Sequence, residues 1–183
     1  MSLRFALLGF LGLDSMTGYE LKQNLDRSTQ QFWHAGLNQI YPTLKKLEAD
    51  GLVTARVEPQ DGKPDKRAYS ITPAGRQVLE DWLAEPLGVL PPSKNSALLK
   101  IFFSGPLENA DILRQLETQL ELHRKQLQRY EIETRQTIEE IVEATGLERD
   151  GAMWELVREL GEAHERAYVE WLEHAIEKVK RLP

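Results

Sequence analysis

The 183-residue chain contains no cysteine. That excludes disulfides, thiolate metal sites and cysteine nucleophiles. No apolar run approaches the roughly 18 residues that span a bilayer. The apolar start, MSLRFALLGFLGL, carries one arginine and no cleavage-site pattern, so it reads as a core helix and not as a secretory signal. A soluble cytoplasmic protein with no membrane partner is expected. The chain also lacks HExxH, GxSxG and any glycine-rich loop following a strand. Its histidines, His34, His123, His164 and His174, offer no i,i+4 helical pair, and no cysteine can assist them. Neither a catalytic constellation nor a metal or cofactor is expected.

An excess of positive charge is missing too, since the formal net charge is −6. The acid is unevenly placed. Residues 1–84 hold ten Lys/Arg against ten Asp/Glu, and residues 85–183 hold thirteen against nineteen. Charge on a contact face matters more than the total, so the first half is not barred from a polyanionic partner. Apolar residues are not scarce: 41% hydrophobic content with four tryptophans and five phenylalanines supports a packed core and argues against disorder.

The most informative stretch is residues 36–52, GLNQIYPTLKKLEADGL. Leu37, Ile40, Leu44 and Leu47 fall on one helical face. Asn38, Gln39, Tyr41, Thr43, Lys45 and Lys46 occupy much of the rest, and Gly51 closes the run as a left-handed C-terminal residue would. Amides and hydroxyls can bond base edges while lysines neutralise phosphates, which suits a DNA recognition helix. Taken alone, the same pattern fits a plain amphipathic surface helix.

The flanks favour the first reading. Residues 2–13 form an apolar helix that Asp14 and Ser15 break. Thr17 and Glu20 make a capping box for the next helix, which carries Leu21 and Leu25. Phe32 and Trp33 are expected to pin the connection over 28–36 to the core. After Gly51 the period changes to alternation. Val53, Ala55 and Val57 oppose Thr54, Arg56 and Glu58, a turn-rich tip follows over 59–64, and then Arg67, Tyr69 and Ile71 oppose Ala68 and Ser70. Thr72 and Pro73 open a further helix bearing Val78, Leu79 and Trp82. Helix, helix, helix, hairpin, helix is the order of a winged helix-turn-helix. Lys63, Lys66 and Arg67 would form the wing, where cations reach phosphates or the minor groove.

GYEL at 18–21, Trp33, NQIYPTLKKLEADGLV at 38–53 and KRAYSITPAGR at 66–76 closely resemble the PadR family of transcriptional regulators. The resemblance covers residues 1 to about 84. It implies a dimeric, ligand-responsive transcription factor, usually a repressor. By position it implies that Gln39, Tyr41 and Lys45 face DNA and that Lys66 and Arg67 sit in the wing. Tyr69 matches the family's strand aromatic and has a structural role as its alternative.

In the second half, residues 85–95 are proline-rich and read as a linker. The segment 96–103, SALLKIFF, is a short, very apolar helix that must pack on another element or subunit. Residues 109–145 contain no Pro or Gly, and as one helix they span roughly 55 Å. Leu113, Leu120, Leu127, Thr134 and Ile141 recur every seven residues, with Leu116, His123, Tyr130 and Thr137 at the second heptad position. A last helix runs from about Asp150 to Lys180, with Val157, Leu160, His164, Ala167, Trp171 and Ala175 on one face. Glu162, Glu165 and Glu173 are expected on a solvated face. Leu113, Leu116, Leu120, Leu127, Val157 and Leu160 are the candidate dimerisation residues. Trp154, Tyr168 and Trp171 are either a pocket for a small aromatic effector or ordinary aromatic core. This half resembles, in pattern and position, the C-terminal helical domain of the longer PadR-type regulators.

The expected fold is mainly α with a small β-hairpin wing. A winged helix-turn-helix over 1–84 precedes a linker over 85–95 and a long-helix dimerisation domain over 96–183. The expected function is sequence-specific binding of a double-stranded DNA operator by a ligand-responsive homodimeric repressor. The alternative is a winged-helix protein–protein interaction module that does not bind DNA.

Overall fold

The computed structural model describes residues 2–29, 33–58, 66–89 and 94–183. Phe32, Lys63 and the whole tip of the hairpin therefore lie outside the described residues. The chain forms two units, Met1–Pro91 and Pro92–Pro183. Among the described residues no helix is long and apolar enough to cross a membrane.

The first unit contains α1 (Ser2–Leu13), β1 (Met16–Thr17), α2 (Gly18–Ser28), α3 (Leu37–Ala49), β2 (Val53–Glu58), β3 (Lys66–Ile71) and α4 (Pro73–Ala84). Its core is leucine-rich because α1, α2 and α3 each turn one apolar stripe inward. Leu7 and Leu8 of α1, Leu21 and Leu25 of α2, and Ile40, Leu44 and Leu47 of α3 are all buried. Each such side chain contributes about 1.5–3 kcal/mol of hydrophobic stabilisation. The α2 capping box forms as the sequence predicts: Glu20 N–H donates to Thr17 Oγ1 at 3.2 Å and Thr17 N–H to Glu20 Oε2 at 2.8 Å. Those two bonds, backbone first, hold the Glu20 carboxyl below the usual carboxylate range.

β2 and β3 pair antiparallel, from Val53 opposite Ile71 at the base to Glu58 opposite Lys66. Sequence periodicity misses the third strand. Met16 and Thr17 pair with Tyr69 and Ala68, giving the sheet order β1-β3-β2. A two-residue strand has no periodicity to read. Tyr69, at 5% exposure, lies in the core, which supports its structural role, and burial raises its phenol pKa.

The second unit contains α5 (Ser96–Phe102), α6 (Asn109–Gln128), a π-helical segment (Arg129–Thr134), α7 (Arg135–Thr145) and α8 (Glu148–Val179). α6 and α8 run antiparallel and share a core of Ile112, Leu116, Leu172 and Ile176. Gly146, at φ 72°, takes the left-handed conformation that ends α7.

The single uninterrupted helix expected over 109–145 is corrected by the π segment. A π turn inserts one residue, so every inward position beyond it shifts by one. Leu116 and Tyr130 are buried on the expected row. Further on, Ile138 and Val142 turn inward in place of Thr137 and Ile141, which are exposed. Val142 lies against Gly151 of α8, where an added Cβ would come within 2.3 Å of its methyl.

α5 packs on its own unit only in part. Ile101 packs onto the α6–α8 core. Leu99 is 60% exposed, Phe102 80% and Phe103 67%. A two-turn helix offers one stripe to one neighbour, and among the described residues the rest of this one stands exposed.

Candidate nucleic-acid interface

α3 is built by its ends. At its start Gly36 is the N-cap residue, and its N–H donates to Gln39 Oε1 at 3.2 Å. At its end Leu52 N–H donates to the Leu47 carbonyl at 2.9 Å and Gly51 N–H to the Glu48 carbonyl at 3.0 Å. With Gly51 at φ 71° this pair of bonds is a Schellman motif, and it turns the chain straight into β2. Pro42 lies inside the helix. Having no N–H, it cannot bond the Asn38 carbonyl one turn back.

With Ile40, Leu44 and Leu47 facing inward, the helical period places the polar residues outward. Asn38, Gln39, Tyr41, Lys45 and Lys46 are exposed. Thr43 is half-buried, and its hydroxyl donates to the Gln39 carbonyl at 2.7 Å, so only its acceptor capacity is free. Tyr41 is 48% exposed and lays its ring on the first residue of α2, where a Cβ added to Gly18 would stand 2.6 Å from ring carbon Cε1. This face carries two amides, a phenol and two ammonium groups, a mixture suited to base edges flanked by phosphates.

In the hairpin, Lys66 is exposed and close enough to Glu20 to help lower its pKa. Arg67 does not stand free. Its Nη2 donates to both carboxylate oxygens of Glu48, at 2.6 and 2.7 Å, and its guanidinium carbon lies 5.6 Å from the centre of the Tyr69 ring. Sequence reasoning gave no role to Glu48 or Arg56. Strand alternation was the available signal for Arg56, since it shares the outward face of the hairpin with Lys66 and is exposed.

The other candidate residues lie in the second unit. Leu116 is buried in its own chain's core, and Leu113 and Leu120 pack against that core. The antiparallel α6–α8 hairpin uses that part of the seam within the chain. Leu127 is half-buried, whereas Val157 is 48% and Leu160 72% exposed. Tyr168 and Trp171 meet edge to face at 5.6 Å. Tyr168 also stacks on His123 at 4.0 Å, and its hydroxyl accepts from Asn95 Nδ2 at 2.9 Å. Trp154 sits fourteen residues earlier on α8, about 21 Å along the axis, so the three aromatics do not line one pocket within a chain.

The acidic row on α8 is not simply solvated. Glu165 bonds His123 at 2.5 Å, and Glu162 bonds Arg158 at 2.6 Å and Arg166 at 2.7 Å. Arg158, 3% exposed, also grips Glu155 and donates to the Tyr130 carbonyl at 3.2 Å. That carbonyl lies in the π segment, which the sequence does not reveal.

A three-helix core, a three-stranded sheet and an outward polar helix define a winged helix-turn-helix. Residues 7–81 match the transcriptional regulator PadR-like family, and residues 93–180 match the virulence activator alpha C-terminal family. The negative transcriptional regulator PadR of Bacillus subtilis is 33% identical over 125 residues, covering 68% of this chain and 69% of that protein. The probable transcriptional regulator Rv1176c of Mycobacterium tuberculosis is 43% identical over 98 residues. That match covers 54% of this chain and spans about half of the relative, 52% of its length. The crystal structure of B. subtilis PadR with operator DNA superposes with a TM-score of 0.82 at 29% identity, over 98% of this chain and 99% of that one. The same protein with p-coumaric acid superposes at 0.77 and 26%, over 99% and 100% of the two chains. The chain belongs to the PadR family of transcriptional regulators.

Proposed function

We propose that this chain is a homodimeric repressor that binds an inverted-repeat operator and releases it when a small aromatic effector binds. The observation that carries the reading is the face of α3: Asn38, Gln39, Tyr41, Lys45 and Lys46 stand exposed over the buried side chains of Ile40, Leu44 and Leu47. Likeness along the whole chain to a relative solved on operator DNA supports it. The rival reading, a protein-docking module, gains no observation of its own. Lys66 supplies a wing cation, and Lys63 is carried as a second from sequence alone. Residues 85–95 are the linker between a DNA-binding domain and a helical domain. Likeness to bacterial transcriptional regulators supports residence in the cytoplasm.

Dimerisation draws on apolar surface that stands exposed among the described residues. Val157 and Leu160 of α8, with Leu99, Phe102 and Phe103 of α5, supply that surface, and Leu127 adds to it. Two linked recognition helices provide the two-fold relation of an inverted repeat and the avidity that one weakly held domain lacks. For the effector, a relative solved with p-coumaric acid favours an aromatic acid. Tyr168 and Trp171 are the stacking surfaces proposed here, and Trp154 would belong to a separate part of the fold.

Sedimentation of the protein with a bound duplex tests the assembly: two chains per inverted repeat are expected, and one chain per duplex would contradict it. Titration with hydroxylated cinnamic and benzoic acids should then release the duplex and change tryptophan fluorescence. Duplex affinity unmoved by the whole panel would remove the effector from this reading.

A further inference from the structure

We infer that Glu48 is a positioning residue for the wing, holding Arg67 as a strut against the last turn of α3 and withholding its charge from the phosphate backbone. The inference rests on the DNA-binding reading and reassigns one residue within it. Strand alternation comes first. Arg67 and Tyr69 share one face of β3, and Tyr69 is buried, so that face looks toward the helices. Lys66 and, across the ladder, Arg56 belong to the other face. Geometry agrees: the Arg67 guanidinium lies by the Tyr69 ring and spends Nη2 on both oxygens of Glu48.

The position of the strut gives it leverage. β2 leaves α3 at the Schellman turn, and the ladder begins with Val53 opposite Ile71. Arg67 lies opposite Val57, four residues further out, about 13 Å along the strand. β1 already holds β3 at Tyr69 and Ala68, so the strut acts on the stretch of hairpin beyond them. Tied to Glu48, Arg67 fixes that outer stretch at a set distance from the recognition helix, so the adjacent Lys66 meets the duplex in register with α3. The ion pair is partly solvent-exposed and adds little to global stability, so its members can be substituted in a folded protein.

The experiment measures duplex affinity across a range of salt concentrations for the full chain and for Glu48→Gln, Arg67→Ala and the double variant, with circular dichroism confirming the fold of each. A strut predicts that each single variant weakens binding several-fold and that the double variant is no weaker than either. It also predicts an unchanged slope of log affinity against log salt, because Arg67 makes no phosphate contact and Lys66 still reaches its own once the wing is ordered on the duplex. A phosphate-binding Arg67 predicts the reverse: Glu48→Gln tightens binding, and Arg67→Ala flattens the slope by about 0.9. That pattern, or wild-type affinity in both single variants, overturns the inference. Failure of the wild-type chain to bind any duplex overturns the DNA-binding reading beneath it.

Discussion

The backbone of Gly75 lies directly against the carbonyl of Leu52: a Cβ at position 75 would stand 2.1 Å from that oxygen. The same carbonyl accepts from Thr72 N–H at 3.0 Å, and Thr72 Oγ1 donates to the Gly51 carbonyl at 2.8 Å. The turn after α3 and the start of α4 are thus one packed junction. Gly75→Ala should destabilise the first unit by about 1–3 kcal/mol through overpacking. Chemical denaturation followed by circular dichroism checks this, and an unchanged midpoint would show that α4 shifts without cost.

Gln39 has two duties. Its Oε1 holds the Gly36 N–H, leaving its Nε2 available to a base edge. Gln39→Ala should relax sequence preference at one base step, by about 1–3 kcal/mol of lost discrimination. Lys66→Ala should weaken all duplexes alike and flatten the salt slope by about 1. Competition titrations with single-base operator variants separate the two. Full discrimination retained by Gln39→Ala would mean that the helix docks by another face.

Arg158 holds Glu155 and Glu162 below the usual carboxylate range, chiefly by hydrogen bonds to their side chains, and those bonds raise its own pKa. A carboxylate depressed in the folded state contributes stability that is present above its unfolded pKa, about 4.3 for Glu, and is lost as pH falls through the folded value. Stability should therefore decline below about pH 4.3, and Arg158→Met should lower stability near neutral pH while shrinking that acid dependence. The neutral-pH loss is about 1–3 kcal/mol, because the Tyr130 carbonyl loses its donor while both carboxylates retain access to water. Equal acid sensitivity in the variant would assign the dependence to other groups.

Leu116 and Leu160 should behave oppositely. Leu116 is 1% exposed in its own chain, so Leu116→Ala should cost about 2–5 kcal/mol of stability. Leu160 is 72% exposed. Leu160→Glu should leave the helical signal intact while shifting sedimentation toward a monomer. A Leu160→Glu chain that still sediments as a dimer would move the interface elsewhere, with α5 the next surface to substitute.

The first unit was legible because its signals are local: a capping box, a glycine-closed amphipathic helix, and a change of period from 3.6 to 2. Hidden there were pairings set only by folding, namely β1 against β3 and Glu48 against Arg67. In the second unit, heptad spacing located the long helices but not their register. The π segment at Arg129–Thr134 moves the inward row by one residue, and sequence period cannot register an inserted residue that leaves helical propensity unchanged. Leu116 stands among the candidate dimerisation residues because a leucine seam reads alike whether it packs within a chain or between chains. Arg158 was missed because its burial depends on the carbonyl that the π segment directs toward it.

The central claim, that α3 reads an operator as one half of a symmetric pair, is tested most directly by selecting duplexes from a random pool with the purified full chain near physiological salt. Enrichment of an inverted repeat with half-site centres about one helical turn apart is the expected result. A folded, dimeric protein that enriches no sequence, with and without aromatic acids, would contradict the claim.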